Sequence, residues 1–168
     1  MGIGRFRAGI GALLWSPSDS KYLLLRRSED RDFAGGVWEC CTGRVDQGEG
    51  FEDALHREVH EELGATARID FIVGTAHFYR GDERPENELL GIIYFCTIDN
   101  PAGINIGAEH SEYRWVTPEE AYTLLSESDP STRWARSVIK RAEAIRALLP
   151  PELLEFYREH GFETSVYT

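Results

Sequence analysis

The stretch that most constrains this chain is residues 43–65, GRVDQGEGFEDALHREVHEELGA. Its first eight residues hold Gly43, Gly48 and Gly50, which marks a structured loop. The period then changes. Leu55, Val59 and Leu63 recur at i, i+4 and i+8, which predicts a helix over 51–63 with one apolar row. Gly64 is its natural stop. At about 100° per residue, Glu58, Glu61 and Glu62 fall together on the border of that row, not on the far solvent side. Two local effects oppose the arrangement. Glu58 and Glu62 are like charges at i,i+4, which costs roughly 0.2–0.5 kcal/mol. Glu61 and Glu62 also sit at the negative end of the helix dipole, where anions are disfavoured by roughly 0.3–1 kcal/mol. A helix selected for stability alone would carry Lys or Arg there. A carboxylate cluster kept against stability is a candidate cation holder, and hard oxygen ligands select Mg²⁺, Mn²⁺ or Ca²⁺. The plainer alternative is a solvated acidic face on an acidic protein.

The chain is indeed acidic, with 18 Lys and Arg against 29 Asp and Glu and a formal net charge of −11. Such a surface repels phosphate backbones, so nucleic acid is not the expected partner. A small anionic substrate would need local help from Arg, Lys or a cation. Length (168 residues) and composition (42% hydrophobic, 28% charged) point to one globular domain. No apolar run approaches the roughly 18 residues that span a bilayer, so no membrane partner is expected. MGIGRF lacks the features of a secretory signal, and Phe6 breaks the myristoylation pattern. The expected location is cytoplasmic. Cys40, Cys41 and Cys96 form no CxxC pair and read as small buried hydrophobes, not as a disulfide framework or zinc site. No GxxxxGK[ST] phosphate loop occurs.

Residues 5–15 and 21–27 read as a hairpin about the turn chemistry of 16–20. A short strand is expected within 37–42, with further strands over 67–79, 88–98 and 113–116. Thr117, Pro118 and Glu120 carry a capping box that opens a helix. Ser131 is the candidate cap of a longer helix that Pro150-Pro151 breaks, and a last helix covers 151–160. Strands, helix, strands and helices in that order suggest an α/β (α+β) fold, a mixed sheet covered by helices. Residues 1–149 would form the domain, and 150–168 a C-terminal helical extension.

The spacing of Gly43, Glu49, Arg57-Glu58, Glu61-Glu62 and Gly64 resembles the Nudix box, GX5EX7REUXEEXGU, at every defined residue. Val59 fills the first U. The last is Ala65, smaller than the pattern asks for, a departure that touches packing more than chemistry. Residues 37–43, VWECCTG, lack the PGG run of many members and look like the VTG-type strand of the dATP/dihydroneopterin triphosphate pyrophosphatase branch. Residues 109–115, EHSEYRW, resemble the E-H-x-x-Y-x-W segment of that branch.

The resemblance implies the Nudix fold, an α/β/α sandwich with a mixed central β-sheet. It also implies an Mg²⁺-dependent hydrolase, with Mn²⁺ as a substitute. Water would attack a diphosphate linkage in a nucleoside or pterin triphosphate. It makes Glu58, Glu61 and Glu62 metal ligands, with the Gly43 carbonyl beside them. Arg57 would orient a neighbouring glutamate, and Glu49 would support the loop and ligands. Glu109 becomes an extra ligand or base, with Glu112 as substitute. The general base stays open among Glu61, Glu58 and Glu109. Many relatives dimerise, so a homodimer is a further expectation.

Arg26, Arg27 and Arg44 are candidate phosphate contacts, against the plainer reading of solvated strand-end charges. Phe33, Trp38, Phe78 and Tyr79 are candidates to stack on a base or pterin. For Trp38 and Phe78 the plainer reading is sheet core. His56 and His60 stand at i,i+4 as a zinc pair would, but their helix angles put them on the exposed side. Competing functions are hydrolysis of ADP-ribose or dinucleoside polyphosphates, and a non-catalytic nucleotide-sensing module. Members that cleave ADP-ribose often carry a proline soon after the box, and none appears here before Pro85. The intact Arg57-Glu58 and Glu61-Glu62 core counts against a sensing module.

Overall fold

Alternation within two central strands assigns the faces of the sheet. In β1 (Arg7–Ser16), Ile10, Ala12 and Leu14 enter one core and Leu13 enters the other. In β2 (Lys21–Arg27), Leu23 and Leu25 join the first core, Tyr22 and Leu24 the second. Strands apolar on both faces must be covered on both. The computed structural model describes residues 4–30 and 34–164 and shows that covering. The remaining elements are β3 (Trp38–Glu39), β4 (Cys41–Arg44), α1 (Phe51–Leu63), β5 (Arg68–Tyr79), β6 (Glu88–Thr97), β7 (His110–Val116), α2 (Pro118–Leu124), α3 (Pro130–Leu148) and α4 (Pro151–His160). Helix α1 packs on the first face through Ala54, Leu55, Val59 and Leu63, while α2 and α3 cover the second. Each fully buried leucine of this kind contributes about 1.5–3 kcal/mol.

The sheet is mixed, in the order β3-β2-β1-β6-β5. β1 runs parallel to β6 from Arg7↔Leu89 to Trp15↔Thr97. β1 and β2 pair only next to their turn, at Trp15↔Tyr22 and Ser16↔Lys21, and then fork. Beyond the fork β2 pairs with β3 and β7, and β1 pairs with β4 from Gly9↔Arg44 to Ala12↔Cys41. β4 feeds directly into the loop before α1, so the fork delivers the glycine-rich stretch to the middle of the molecule.

The α/β fold with a mixed sheet agrees with the expectation, as do the bounds of β2, α1 and α4. Other elements differ. The strand expected within 37–42 is two strands broken at Cys40. β7 begins at His110, not at 113. Asp129, not Ser131, caps α3, its carboxylate accepting from Ser131 N at 2.8 Å and Thr132 N at 3.2 Å. Three register shifts also interrupt the alternation, one of them at Val73, between Ile72↔Tyr94 and Gly74↔Ile93. Ile69↔Cys96 is followed by Phe71↔Phe95, so Asp70 is an extra residue in β5. Leu25↔Tyr113 and Arg26↔Glu112 are followed by Arg27↔His110, so Ser111 is an extra residue in β7.

The segment after α3 packs on the domain. Arg158 of α4 donates through Nε and Nη2 to Asp70 Oδ1 at 3.1 and 2.9 Å. Phe162 lies against the first core, its ring 5.8 Å from Tyr94. Among the described residues no helix is long and apolar enough to cross a membrane.

Candidate active site

The site forms where the fork, the loop after β4 and the last turns of α1 meet. Gly43 is the tightest point. A Cβ there would collide with the Cγ and Cδ of Glu58, so only glycine lets that carboxylate lie against the β4 backbone. Glu58 accepts from Arg44 N at 3.2 Å in the same place. Arg57 braces the cluster. Its Nε and Nη2 reach the two Glu49 oxygens at 2.8 Å each, and Nη1 reaches Glu58 at 2.9 Å and Glu61 at 3.3 Å. Nη2 also donates to the Arg44 carbonyl at 2.9 Å. This guanidinium holds the Glu49 carboxyl down to about 2.

Glu62 points inward. It is 7% exposed, and its carboxylate accepts from Cys41 Sγ at 3.3 Å. Burial, the main cause, pushes it up to about 7, and the charges of Glu58 and Glu39 push the same way. Nearby His110 opposes the shift, as does the Cys41 bond. The Ser111 bulge turns His110 onto the α1 face. Its Nε2 meets Glu39 Oε1 at 3.3 Å, and its Nδ1 is buried, unpartnered and 4.0 Å from Glu62 Oε2. Glu39 is held in turn by Arg27 at 2.9 Å.

A cleft of ≈ 960 Å³ opens over this cluster. Gly43, Arg44, Glu58, Glu62, Glu109 and Arg27 are among the residues that line it. Its floor is glycine-built. Gly9 and Gly91 face each other across β1 and β6, and a Cβ on Gly91 would stand 2.9 Å from the Gly9 carbonyl. Ile93, Trp134, His77, Phe78, Tyr79 and Arg80 line it as well. A cleft lined by acidic and basic groups and by apolar and aromatic side chains suits an anionic chain attached to a ring.

The expected residues separate by position. Gly43, Glu58, Glu62, Glu109, Arg27 and Arg44 line the cleft, as do Phe78 and Tyr79. Glu61 lies outside the lining, its side chain 59% exposed and tied to Arg57. Arg26 does not reach the cleft. It projects from the other side of β2, bonded to Glu29 and to the Gly36 carbonyl. Trp38 packs against the second core with Arg114 stacked over it at 5.0 Å, so its plainer reading as core describes its place. Phe33 lies outside the described residues. Glu112 pairs with Arg114 at 2.7 Å and is not in the lining. His56 and His60 are exposed on α1. Sequence reasoning gave no role to Glu39 or His110. The contact of His110 with Glu39, and its approach to Glu62, could be read only once the bulge was known.

The carboxylates of Glu58, Glu62 and Glu109 in the cleft have the oxygen chemistry of a hard divalent cation's ligands. The Gly43 contact shows that the Glu58 carboxylate is packed against the β4 backbone there. Among the described residues no three carboxylate, imidazole or thiol groups stand within ligating reach of one point. The Arg57 guanidinium serves instead as the positive charge between Glu58 and Glu61.

Residues 5–141 match the NUDIX domain. The nucleoside triphosphatase NudI of Salmonella agona (strain SL483) is 35% identical over 113 residues, 61% of this chain and 77% of that protein. Among solved structures, the MutT protein of Methanosarcina mazei Go1 is 25% identical with a TM-score of 0.67, covering 87% of this chain and 99% of the other. The dihydroneopterin triphosphate pyrophosphohydrolase of E. coli is 21% identical with a TM-score of 0.58, covering 82% and 96%. That last likeness is one of fold. A domain match over most of the chain places this chain in the Nudix family of pyrophosphohydrolases.

Proposed function

We propose that this chain is a divalent-metal-dependent hydrolase that cleaves a phosphoanhydride bond in a nucleoside triphosphate, with a pterin triphosphate as a second substrate class. The observation that carries the reading is that Gly43, Glu58, Glu62 and Glu109 line one cleft together with Trp134 and Phe78. Relatives described as nucleoside triphosphatases support the first class. The EHSEYRW segment supports the second.

Glu58, Glu62 and the Gly43 carbonyl would hold Mg²⁺ or Mn²⁺, with Glu61 and Glu109 completing the set. When bound, the cation neutralises phosphate charge and makes a coordinated water more acidic. The chain's own residues do the rest. Arg57 keeps Glu58 turned towards β4. Arg27 and Arg44 line the cleft and offset its acidity, where a phosphate chain would lie. A cleft carboxylate, Glu58 or Glu109, accepts the proton of the attacking water. The aromatic wall and glycine floor receive the ring.

The test is cleavage of a panel: the nucleoside triphosphates, 8-oxo-dGTP, dihydroneopterin triphosphate, ADP-ribose and diadenosine polyphosphates. Each is run with Mg²⁺, with EDTA and with Glu61→Gln. Cleavage of a triphosphate that EDTA abolishes supports the reading. Cleavage of ADP-ribose or a dinucleoside polyphosphate alone would move the substrate class. Tight binding without cleavage of any compound would make the domain a sensor.

A further inference from the structure

Helix α1 carries the site's glutamates but has no cap of its own. Its N-cap residue is Gly50, which offers no side chain to the free amides of the first turn. The cap comes from the far end of the chain. Glu163 accepts from Phe51 N through Oε1 at 3.0 Å and from Glu52 N through Oε2 at 3.1 Å. The exchange is mutual, because Glu52 Oε1 accepts from Phe162 N at 2.5 Å and Glu163 N at 2.7 Å. This is the logic of a capping box, closed by tertiary contact across 111 residues instead of three.

Two glycines make room for it. A Cβ on Gly50 would stand 2.5 Å from Glu163 Oε2. Gly161, at φ 69° and ψ −168°, holds a conformation that L residues rarely adopt, and a Cβ there would stand 3.0 Å from Glu52 Oε2. Phe162 anchors the turn, stacked on Tyr157 at 4.3 Å and edge-on to Tyr94. Tyr157, Gly161, Phe162 and Glu163 lie beyond the residues that match the family domain, and their partners Gly50, Phe51, Glu52 and Tyr94 lie within it.

The clamp sits one residue from the active-site brace. Glu49, which takes two bonds from Arg57, immediately precedes Gly50. The loop that carries Glu49 is tied at its start by Val45 N to the Ala8 carbonyl at 3.1 Å, and at its end by the clamp on Phe51 and Glu52. Resting on the function proposed above, we propose that Glu163 is a positioning residue of the active site. It fixes the junction of loop and helix, so that Glu49 holds Arg57 and Arg57 holds Glu58. The C-terminal segment is then part of the enzyme's working structure.

The experiment compares wild type with Glu163→Ala and Glu163→Gln in the full chain. Amide exchange is followed at Phe51 and Glu52, with Val138 and Ile139 of α3 as the control for an intact fold. Mn²⁺ affinity is measured by paramagnetic resonance without nucleotide, and kcat and KM are measured on the cleaved triphosphate. Glu163→Ala should speed exchange at Phe51 and Glu52 and weaken Mn²⁺ binding about fivefold, the worth of one capping interaction. It should also lower kcat and leave the nucleotide KM unchanged. Glu163→Gln keeps one acceptor oxygen and should fall between. It carries the comparison if the alanine variant does not fold. Unchanged exchange at Phe51 and Glu52 overturns the clamp. Faster exchange with wild-type Mn²⁺ affinity and kcat overturns the positioning role and leaves a structural one. A wild-type protein that binds no Mn²⁺ and cleaves no triphosphate overturns the functional reading, and the proposal falls with it.

Discussion

Arg57 is the residue on which the charge balance of the site turns. One guanidinium serves Glu49, Glu58, Glu61 and the Arg44 carbonyl. A lysine keeps the charge but brings its donors to a single nitrogen that cannot span these partners. Arg57→Lys is therefore expected to lower kcat/KM by roughly 10–100-fold, as loss of a ligand-orienting partner typically does, while the circular dichroism spectrum stays native. Gly43 is equally restricted, for steric reasons. Gly43→Ala should lose both activity and thermal stability, because its Cβ enters the space of Glu58. Adding Glu58→Ala should restore much of the melting temperature and none of the activity. If the single change melts like wild type, the packing of Glu58 against β4 is wrong. The thiols behave in the opposite way, as inert core. Burial is the main cause that pushes Cys40 from its ordinary 9.0 up to about 12, and it raises Cys96 as well. The folded state thus holds Cys40 protonated. The stability this gives is full below pH 9 and is lost as pH rises from about 9 towards 12. A thiol reagent at pH 8 should label Cys40 and Cys96 only as fast as the protein unfolds. Rapid labelling of the native protein would contradict their burial.

At the scale of elements, local signals were readable and pairing-dependent ones were not. The bounds of α1 follow from a period of 3.6 that ends at Gly64, whose φ of 60° is the left-handed stop expected of it. The capping box at Thr117 and Glu120 is complete in the fold. Both signals lie within a few residues of sequence. The bulges at Asp70 and Ser111 are set by the partner strand, so no alternation rule finds them. Strict alternation would put His110 on the face of Glu112, away from Glu62. The same limit explains the arginines. Arg26 and Arg27 are neighbours on opposite faces of β2, and only the assembled sheet shows that Arg27 faces the cleft. The box glutamates were legible because their spacing lies within one loop and one helix. The start of α3 offers a test at this scale. Asp129→Ala should lower stability by about 1 kcal/mol, whereas Ser131→Ala should stay within about 0.5 kcal/mol of wild type. Denaturant midpoints separate the two, and the reverse order would return the cap to Ser131.

At the scale of the whole molecule, the fold solves an electrostatic problem. The chain carries a net charge of −11 and gathers several of its carboxylates at the cleft where, on the proposed function, an anionic substrate would enter. Covering the sheet on both faces fixes the fork of β1 and β2. The fork brings β4 to α1, and the C-terminal segment ties α1 from its other end. Arg27, Arg44 and Arg57 then supply positive charge to the cluster, and a divalent cation would supply the rest. The most direct measurement of this account is the Mg²⁺ dependence of triphosphate cleavage in wild type and in Glu58→Gln. The account predicts turnover that saturates with Mg²⁺ in wild type and vanishes with EDTA. It predicts a loss of two orders of magnitude or more in kcat for the variant, on the order of removing one preorganised group from a catalytic centre, with the melting temperature kept or raised. Cleavage by Glu58→Gln at the wild-type rate and the same Mg²⁺ requirement would contradict it, and would place the cation elsewhere in the molecule.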